Sequence, residues 1–421
     1  MERVIGFIGS FALLAIAYFF SKNRKAINWR TVAGGILLQW FLALLIIGIP
    51  AAGINGILSP LFTLANDLVL SIISFSDAGT AFMFGPLMNE EKIGGLVIAL
   101  KILPTIIFFS ALMALLYHIG IMQKVVYVLA LAMKKTLKIS GAESLAAAAN
   151  VFVGQTEAPL IIRPYLKKMT DSEIMSLMTG GMATVAGGVL AAYVGMLTGL
   201  IPNIAGHLIT ASVMSAPAAI IIAKILIPET STPETSTSVY VPTEKTSVNL
   251  IGAAADGAAE GTKLAINVGG MLIAFIAIVA LMNGFLSWVS VNSGITSALG
   301  ADLSLDLLLG WIFYPIAFLM GIESEHCLFV GQLIGKKVAL NEFVAYLDLA
   351  NQGSGLTERS AIIASYALCG FANFSSIAIQ IGGIGGLEPT KSRVLAKLGL
   401  LSLLGGTLAA CITAAIVGVI L

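Results

Sequence analysis

The chain reads as long apolar runs separated by short polar ones. No charged residue falls between Arg3 and Lys22, Arg30 and Asp67, Lys101 and Lys124, Glu173 and Lys224, Lys263 and Asp302, or Arg359 and Glu388, and none follows Lys397. A helix that crosses a bilayer needs about 20 consecutive apolar residues, and these gaps supply that length. The 174–223 gap is long enough for two crossings, with a break near Pro202 and Asn203. The pattern therefore predicts eight spanning helices, centred near residues 12, 41, 108, 185, 214, 277, 371 and 410. Residues 54–76, which end in Ser74, Ser76 and then Asp77, predict an interfacial helix. Two apolar stretches, Ser144–Thr156 and Leu307–Ile322, are too short to span and predict re-entrant or broken segments. Each is followed by a polar stretch and then two spans, so residues 140–226 and 305–421 share one plan. With the first hairpin entering from one side and the second from the other, this is an inverted repeat, whose substrate site is expected near the bilayer midplane.

Composition agrees. The chain is 58% hydrophobic and 11% charged, against roughly 25% charged in soluble domains. The expected fold class is an all-α integral membrane protein with eight transmembrane helices and two re-entrant hairpins. Loop charge predicts the orientation. Lys22, Arg24, Lys25 and Arg30 place the first connection in the cytoplasm, whereas Asp67, Asp77, Glu90 and Glu91 against Lys92 place the next outside. Alternation then puts Lys124, Lys134, Lys135, Lys138, Arg163, Lys167, Lys168, Lys391, Arg393 and Lys397 inside. Lys336, Lys337 and Arg359 fall outside as exceptions, and both termini face outward. The first apolar run has no small-residue cleavage site and reads as an anchor rather than a signal peptide. Net charge is +1, which gives no reason to expect a nucleic acid partner.

The stretch 228–248, PETSTPETSTSVYVPTEKTSV, repeats PETST and has nothing to form a core. It divides the chain on the cytoplasmic side. The expected organisation is peripheral helices and interfacial segments over 1–139, a first repeat over 140–226, linker and scaffold helix over 227–304, and a second repeat over 305–421. Cys327, Cys369 and Cys411 show no paired spacing, and His118, His207 and His326 form no metal-ligand pattern.

The informative residues are the polar ones within apolar sequence. Asn150-Val-Phe-Val-Gly154-Gln155-Thr156-Glu157-Ala-Pro159 carries a carboxylate at expected membrane depth, where insertion alone costs at least about 2.5–3.5 kcal/mol. Gly154 and Pro159 bracket the cluster and interrupt the helix, so freed backbone groups need partners in protein, water or ligand. Gln155, Thr156 and Glu157 offer donors and acceptors together, which suits a heterocycle with mixed edges. Thr184 lies beside Gly187 and Gly188. With Asn150, Thr156 and freed carbonyls it makes an all-oxygen set suited to an alkali cation. In the second half, Asn341-Glu342-Phe343 follows the second short stretch, and Asn373 and Ser376 stand i, i+3 apart, able to line one helix face. Two carboxylates on opposite repeats suit a ligand with an amide-like edge and vicinal hydroxyls. The run Gly382-Gly383-Ile384-Gly385-Gly386 follows no strand and is not a nucleotide loop.

These strings closely resemble the concentrative nucleoside transporters, bacterial branch. Asn150–Pro159, Ala183–Gly188, Asn341–Tyr346 and Cys369–Ile377 match that family's motifs in its order, and the resemblance runs essentially from end to end. The segment Glu323–Phe329 and the 228–248 linker match less well, and nothing is carried over there. The resemblance implies cation-coupled symport of nucleosides into the cell, sodium favoured, with no cofactor. It implies that Gln155, Thr156 and Glu157 bind the nucleobase beside Val189. Glu342, Asn373 and Ser376 would hold the ribose, with Phe371 lining the pocket. The sodium ligands would be Asn150, Thr156 and Thr184 with the carbonyls of Val153 and Val185. It further implies a homotrimer in the bacterial plasma (inner) membrane, surrounded by lipid, with the sixth span as scaffold and the hairpin domain moving as an elevator. Proton coupling is the alternative within the family. A channel is expected to show a ring of like groups, which the varied polar residues do not form. A membrane enzyme using Glu157 and Glu342 as acid and base would lack any accompanying nucleophile, metal cluster or cofactor motif.

Overall fold

A computed structural model describes residues 1–88, 98–236, 247–294, 296 and 302–421. Glu90, Glu91, Lys92 and the middle of the 228–248 stretch lie outside the described residues. Bilayer solvent leaves a backbone only internal hydrogen bonds, so a chain this apolar is driven into helices. The first part comprises α1 (Glu2–Phe19), α2 (Trp29–Ile46), α3 (Ser59–Phe84), α4 (Ile98–Ile119) and α5 (Ile121–Leu137). Between α2 and α3 a short ribbon pairs Gly48 with Asn55 and Ile49 with Ile54, antiparallel.

Then come α6 (Gly141–Asn150), two short turns α7 (Ala158–Ile161) and α8 (Arg163–Leu166), α9 (Asp171–Ala183), α10 (Gly187–Leu197) and α11 (Ile204–Leu226). The long α12 (Leu250–Asn292) leads to α13 (Leu305–Leu319), α14 (Cys327–Ala339), α15 (Glu342–Gln352), α16 (Glu358–Leu368), α17 (Phe374–Leu387) and α18 (Ser392–Ile420). Side-chain caps fix many of the starts. Ser140 and Thr170 form capping boxes with Glu143 and Glu173, and Asn341, Thr357 and Asn373 each accept from a backbone N–H of the first turn.

Among the described residues, eight helical segments are long and apolar enough to cross a membrane. Seven coincide with the expected spans. The eighth is α3, expected as interfacial but long enough to cross by length and composition. The span expected near residue 371 is instead two short helices, α16 and α17, separated by residues 369–373. The second short apolar stretch also differs from its expectation. Leu307–Ile322 is no hairpin: most of it is the single helix α13, packed along α14. The helix–turn–helix of the second repeat is α14 with α15, which puts Asn341 and Glu342 at its turn rather than after it. By element order alone, the expected repeat would pair α5, α6, α7–α8, α9/α10 and α11 with α13, α14, α15, α16/α17 and α18.

The core is α9/α10, α11 and α18, about 89% buried, whereas α4 and α12 are 22% and 17% buried. Those two outer helices are joined by a small-residue seam. A Cβ added at Gly257 or Gly261 of α12 would stand 2.6–2.7 Å from Ala114 or Ser110 of α4, the close approach that small residues permit in membranes. Contacts sort the connections into two ends. Lys22 N–H donates to the Leu226 carbonyl (3.0 Å), Thr31 Oγ1 to Leu137 (3.2 Å) and Lys391 Nζ to Met169 (2.6 Å) at one. At the other, Arg3 meets the Leu421 carbonyl (2.6 Å), so the two termini share an end.

The Pro- and Thr-rich stretch is not wholly solvated. The carbonyl and Oγ1 of Thr235, only 5% exposed, accept from Gly141 N–H (2.8 Å) and Ala142 N–H (2.9 Å), and Glu229 accepts from Thr170 Oγ1 (2.7 Å). The start of the linker thus satisfies N-terminal amides of α6 that no helical partner can reach.

Candidate functional site

Two helices break where they cross. Thr184 ends α9 in an extended conformation (φ −121°, ψ 168°) and Ala186 caps α10. The second break turns on Gly370, whose φ of +140° is closed to most side chains. A Cβ there would sit 2.7 Å from the Met182 carbonyl, in the last turn of α9, so only glycine lets the breaks touch.

A hairpin tip seats on each break. In the first repeat the Phe152 carbonyl accepts from Gly187 N–H (3.0 Å), tying the tip to the start of α10, and the Val151 carbonyl accepts from Ser212 Oγ of α11 (2.9 Å). In the second, Asn341 caps α15 through Val344 N–H (2.9 Å), which sets Glu342 as the first helical residue. The positive end of a helix dipole favours a carboxylate there. Glu157 precedes α7 without capping it, and its carboxylate instead turns back into the tip to accept from Gly154 N–H.

Polar side chains from the first hairpin tip, α10, α15 and α17 with its cap form one relay. Tyr193 hydroxyl donates to Glu342 Oε1 (2.6 Å), and Asn373 Nδ2 donates to Glu342 Oε2 (3.2 Å). Asn373 Oδ1 in turn accepts from Ser376 N–H (2.9 Å) and Ser375 Oγ (2.7 Å). Gln155 Nε2 donates to Ser376 Oγ (3.0 Å), and Gln380 Nε2 donates to both Gln155 Oε1 and the Met178 carbonyl (3.0 Å each). Glu342, Asn373, Ser376 and Gln155 are all buried. A buried carboxylate this deep is tolerable because two hydrogen bonds, each from a neutral donor to one of its oxygens, and a helix N-terminus all act on it. The groups satisfy one another, so a ligand binds here by exchanging these bonds for its own.

A second cluster lies against the end of α9. Asn150 is 1% exposed, yet neither Oδ1 nor Nδ2 has a partner. Its amide stands beside Gly180, where an added Cβ would come within 3.2 Å of Nδ2. Thr184 Oγ1 donates to the Gly180 carbonyl (2.9 Å). Orphaned amide atoms this deep cost on the order of 1–3 kcal/mol and call for a partner.

The remaining expected residues are placed as follows. Val153 is half-buried beside the first break and Val185 is wholly buried within it. Val189 is buried on α10, one turn before Tyr193, and Phe371 is half-buried at the second break. Thr156 and Glu157 are exposed, and the Thr156 methyl faces Gly383 of α17, where an added Cβ would meet it at 3.4 Å. Asn373 and Ser376 are joined as cap and third helical residue, not as two positions on one helix face. Glu342 is 5% exposed and neighbouring Lys337 is fully buried, so neither side chain is solvated. The glycine run 382–386 is helical.

Tyr193 and Gln380 were absent from the sequence expectations. Each was visible as a lone polar side chain in an apolar run, but nothing local says what it faces. Tyr193 also stacks on Tyr346 with ring centroids 4.3 Å apart, which holds its hydroxyl on Glu342. Tyr193→Phe removes a hydrogen bond to a charged group, worth ~1.5–3 kcal/mol, so ligand affinity at Glu342 is expected to fall roughly tenfold or more. Equilibrium binding to the purified variant checks this, and unchanged affinity would remove Tyr193 from the site.

Comparison with known families covers most of the chain. The family description Na+ dependent nucleoside transporter N-terminus matches residues 8–87, nucleoside recognition (Gate) matches 99–200, and Na+ dependent nucleoside transporter C-terminus matches 207–418. An uncharacterized transporter of Haemophilus influenzae is 44% identical, over 99% of this chain and 98% of its own length. Nucleoside permease NupC of Helicobacter pylori is 41% identical, over 98% and 96%. Among solved structures, CNTnw in an inward-facing substrate-bound state is 40% identical with a TM-score of 0.88, covering 100% of this chain and 98% of that one.

Proposed function

The chain belongs to the Na+ dependent nucleoside transporter family, the concentrative nucleoside transporters, and on that footing we propose that it imports nucleosides by symport with sodium. The observation that carries the reading is the relay from Tyr193 through Glu342, Asn373, Ser376 and Gln155 to Gln380. It joins both hairpins and both broken helices with the mixed donors and acceptors that a nucleoside needs. Glu342, Asn373 and Ser376 take the ribose hydroxyls, with Phe371 against the sugar. Gln155, Thr156 and Glu157 take the base, with Val189 packed beside it.

Sodium is held by Asn150, Thr184, Thr156 and the carbonyls of Val153 and Val185. The support is chemical: a buried amide with both polar atoms unpartnered, next to a helix end whose carbonyls carry partial negative charge. An ion there ties the tip of the first hairpin to the α9/α10 break and orders Gln155 and Thr156 beside it. Nucleoside then binds the ion-loaded state more tightly, and by linkage the ion binds the nucleoside-loaded state more tightly too. Residues 140–226 and 305–421 move together as an elevator against a scaffold built on α12 in a homotrimer. The protein resides in the bacterial inner membrane with both termini outside.

Uridine uptake into proteoliposomes tests the proposal. An inward sodium gradient is expected to drive saturable accumulation of chemically unchanged uridine, and a proton gradient without sodium is not. Accumulation driven by protons alone would overturn the sodium assignment. No accumulation under either gradient, from correctly inserted protein, would overturn nucleoside symport.

A further inference from the structure

Three lysines are buried among the described residues: Lys224, Lys336 and Lys337. The first two have carboxylate partners, Glu143 with Glu229 and Asp306 with Asp348. Lys337 is different. It is 0% exposed, has no carboxylate within ion-pair distance, and makes one hydrogen bond, from Nζ to the Ala367 carbonyl (2.9 Å). An unpaired ammonium in a protein interior costs several kcal/mol, and inside a membrane such a group marks function by default.

Its partner gives the reason. Ala367 lies in the last turn of α16, which ends at Leu368 immediately before the second break. The last four carbonyls of a helix lack intrahelical partners and carry the negative end of its dipole. At membrane depth no water completes them. The equivalent place in the first repeat is the last turn of α9, and there the neighbour is Asn150, a neutral amide with no partner. One broken helix end therefore has a cation covalently attached. The other has only an amide whose two polar atoms are left without a partner.

We propose that Lys337 is a tethered cation, doing permanently in the second repeat what the transported ion does reversibly in the first. It is a positioning residue. Its ammonium draws α14 onto the end of α16, and this sets Glu342, at the turn after α14, against Asn373, at the start of α17. The ribose half of the site is thus assembled whether or not an ion is bound, and only the first hairpin responds to the ion. This rests on the nucleoside reading given above.

The test is Lys337→Met and Lys337→Gln in the full chain, with melting temperature and uridine affinity both measured at saturating sodium chloride. Methionine fills similar volume without a charge to desolvate, so its melting temperature is expected to be equal or higher, while uridine affinity falls at least about tenfold. Glutamine keeps a donor for Ala367 but no charge, and is expected to lose affinity as well. A melting temperature and an affinity that fall together in Lys337→Met would make the lysine a packing element and overturn the proposal. Affinity restored in Lys337→Gln would do the same, by showing that a neutral donor suffices. Wild-type protein that binds no nucleoside overturns both readings, whereas wild-type binding with unchanged affinity in both variants overturns only this one.

Discussion

Glu342→Ala is expected to abolish saturable nucleoside uptake while the protein still inserts and purifies. Glu342 collects Tyr193 from α10 and Asn373 from the second break onto one carboxylate, so its removal strips the relay of its only charge. The phenol and the amide are then left buried without their acceptor, and the ribose hydroxyls lose theirs. Truncating one partner of a buried, charged hydrogen-bonded pair costs about 2–5 kcal/mol, or roughly 30-fold to several thousandfold in affinity. Glu342→Gln separates charge from shape. It still accepts from Tyr193 but binds hydroxyls more weakly, and an intermediate loss of about tenfold is expected. Uridine binding to purified protein together with uptake measures both steps. Uptake by Glu342→Ala at near wild-type affinity would remove the relay from the substrate site.

The second large effect is on ion dependence rather than on substrate contact. In wild-type protein, sodium is expected to tighten uridine binding by roughly 5- to 150-fold, the usual range of a coupling free energy between two sites. Asn150→Ala deletes a buried amide whose oxygen and nitrogen both lack a partner among the described residues. Uridine binding should then be weak and the same with or without sodium, because the ion can no longer reward the ordered tip. The variant should lose little stability, since no hydrogen bond of the folded protein is broken. Binding measured in sodium against choline chloride checks this. Full sodium dependence in Asn150→Ala would place the ion elsewhere.

Much of this architecture was legible along the chain. Seven of the eight long apolar helices follow from charge-free gaps of spanning length, because lipid admits a backbone only as helix or closed barrel. Hairpin tips were marked by Gly154, Gln155, Thr156 and Glu157 and by Asn341 and Glu342, since polar groups in apolar sequence need a local reason. Hydropathy failed where it averages over geometry. The gap between Arg359 and Glu388 read as one span centred near 371, yet the chain is broken at Gly370, where the neighbouring α9 passes too close for a Cβ. Leu307–Ile322 read as a hairpin because it is short and apolar, but a short helix packed along α14 has the same hydropathy.

That the chain is helical and membrane-embedded, and which polar residues stand at the hairpin tips, can be read along the chain. Those properties are carried by consecutive residues, so local composition and spacing suffice. Only the tertiary structure decided that Tyr193 and Gln380 close the two ends of the relay, over separations of 149 and 225 residues. Only it decided that Thr235 caps a helix 93 residues earlier, and that Lys337 Nζ meets the Ala367 carbonyl at a helix end rather than lying in a loop. A polar side chain announces that it needs a partner, but which partner it meets depends on how the broken helices cross. That crossing brings Gly370 against Met182 and Ala183, and no single stretch of sequence contains it.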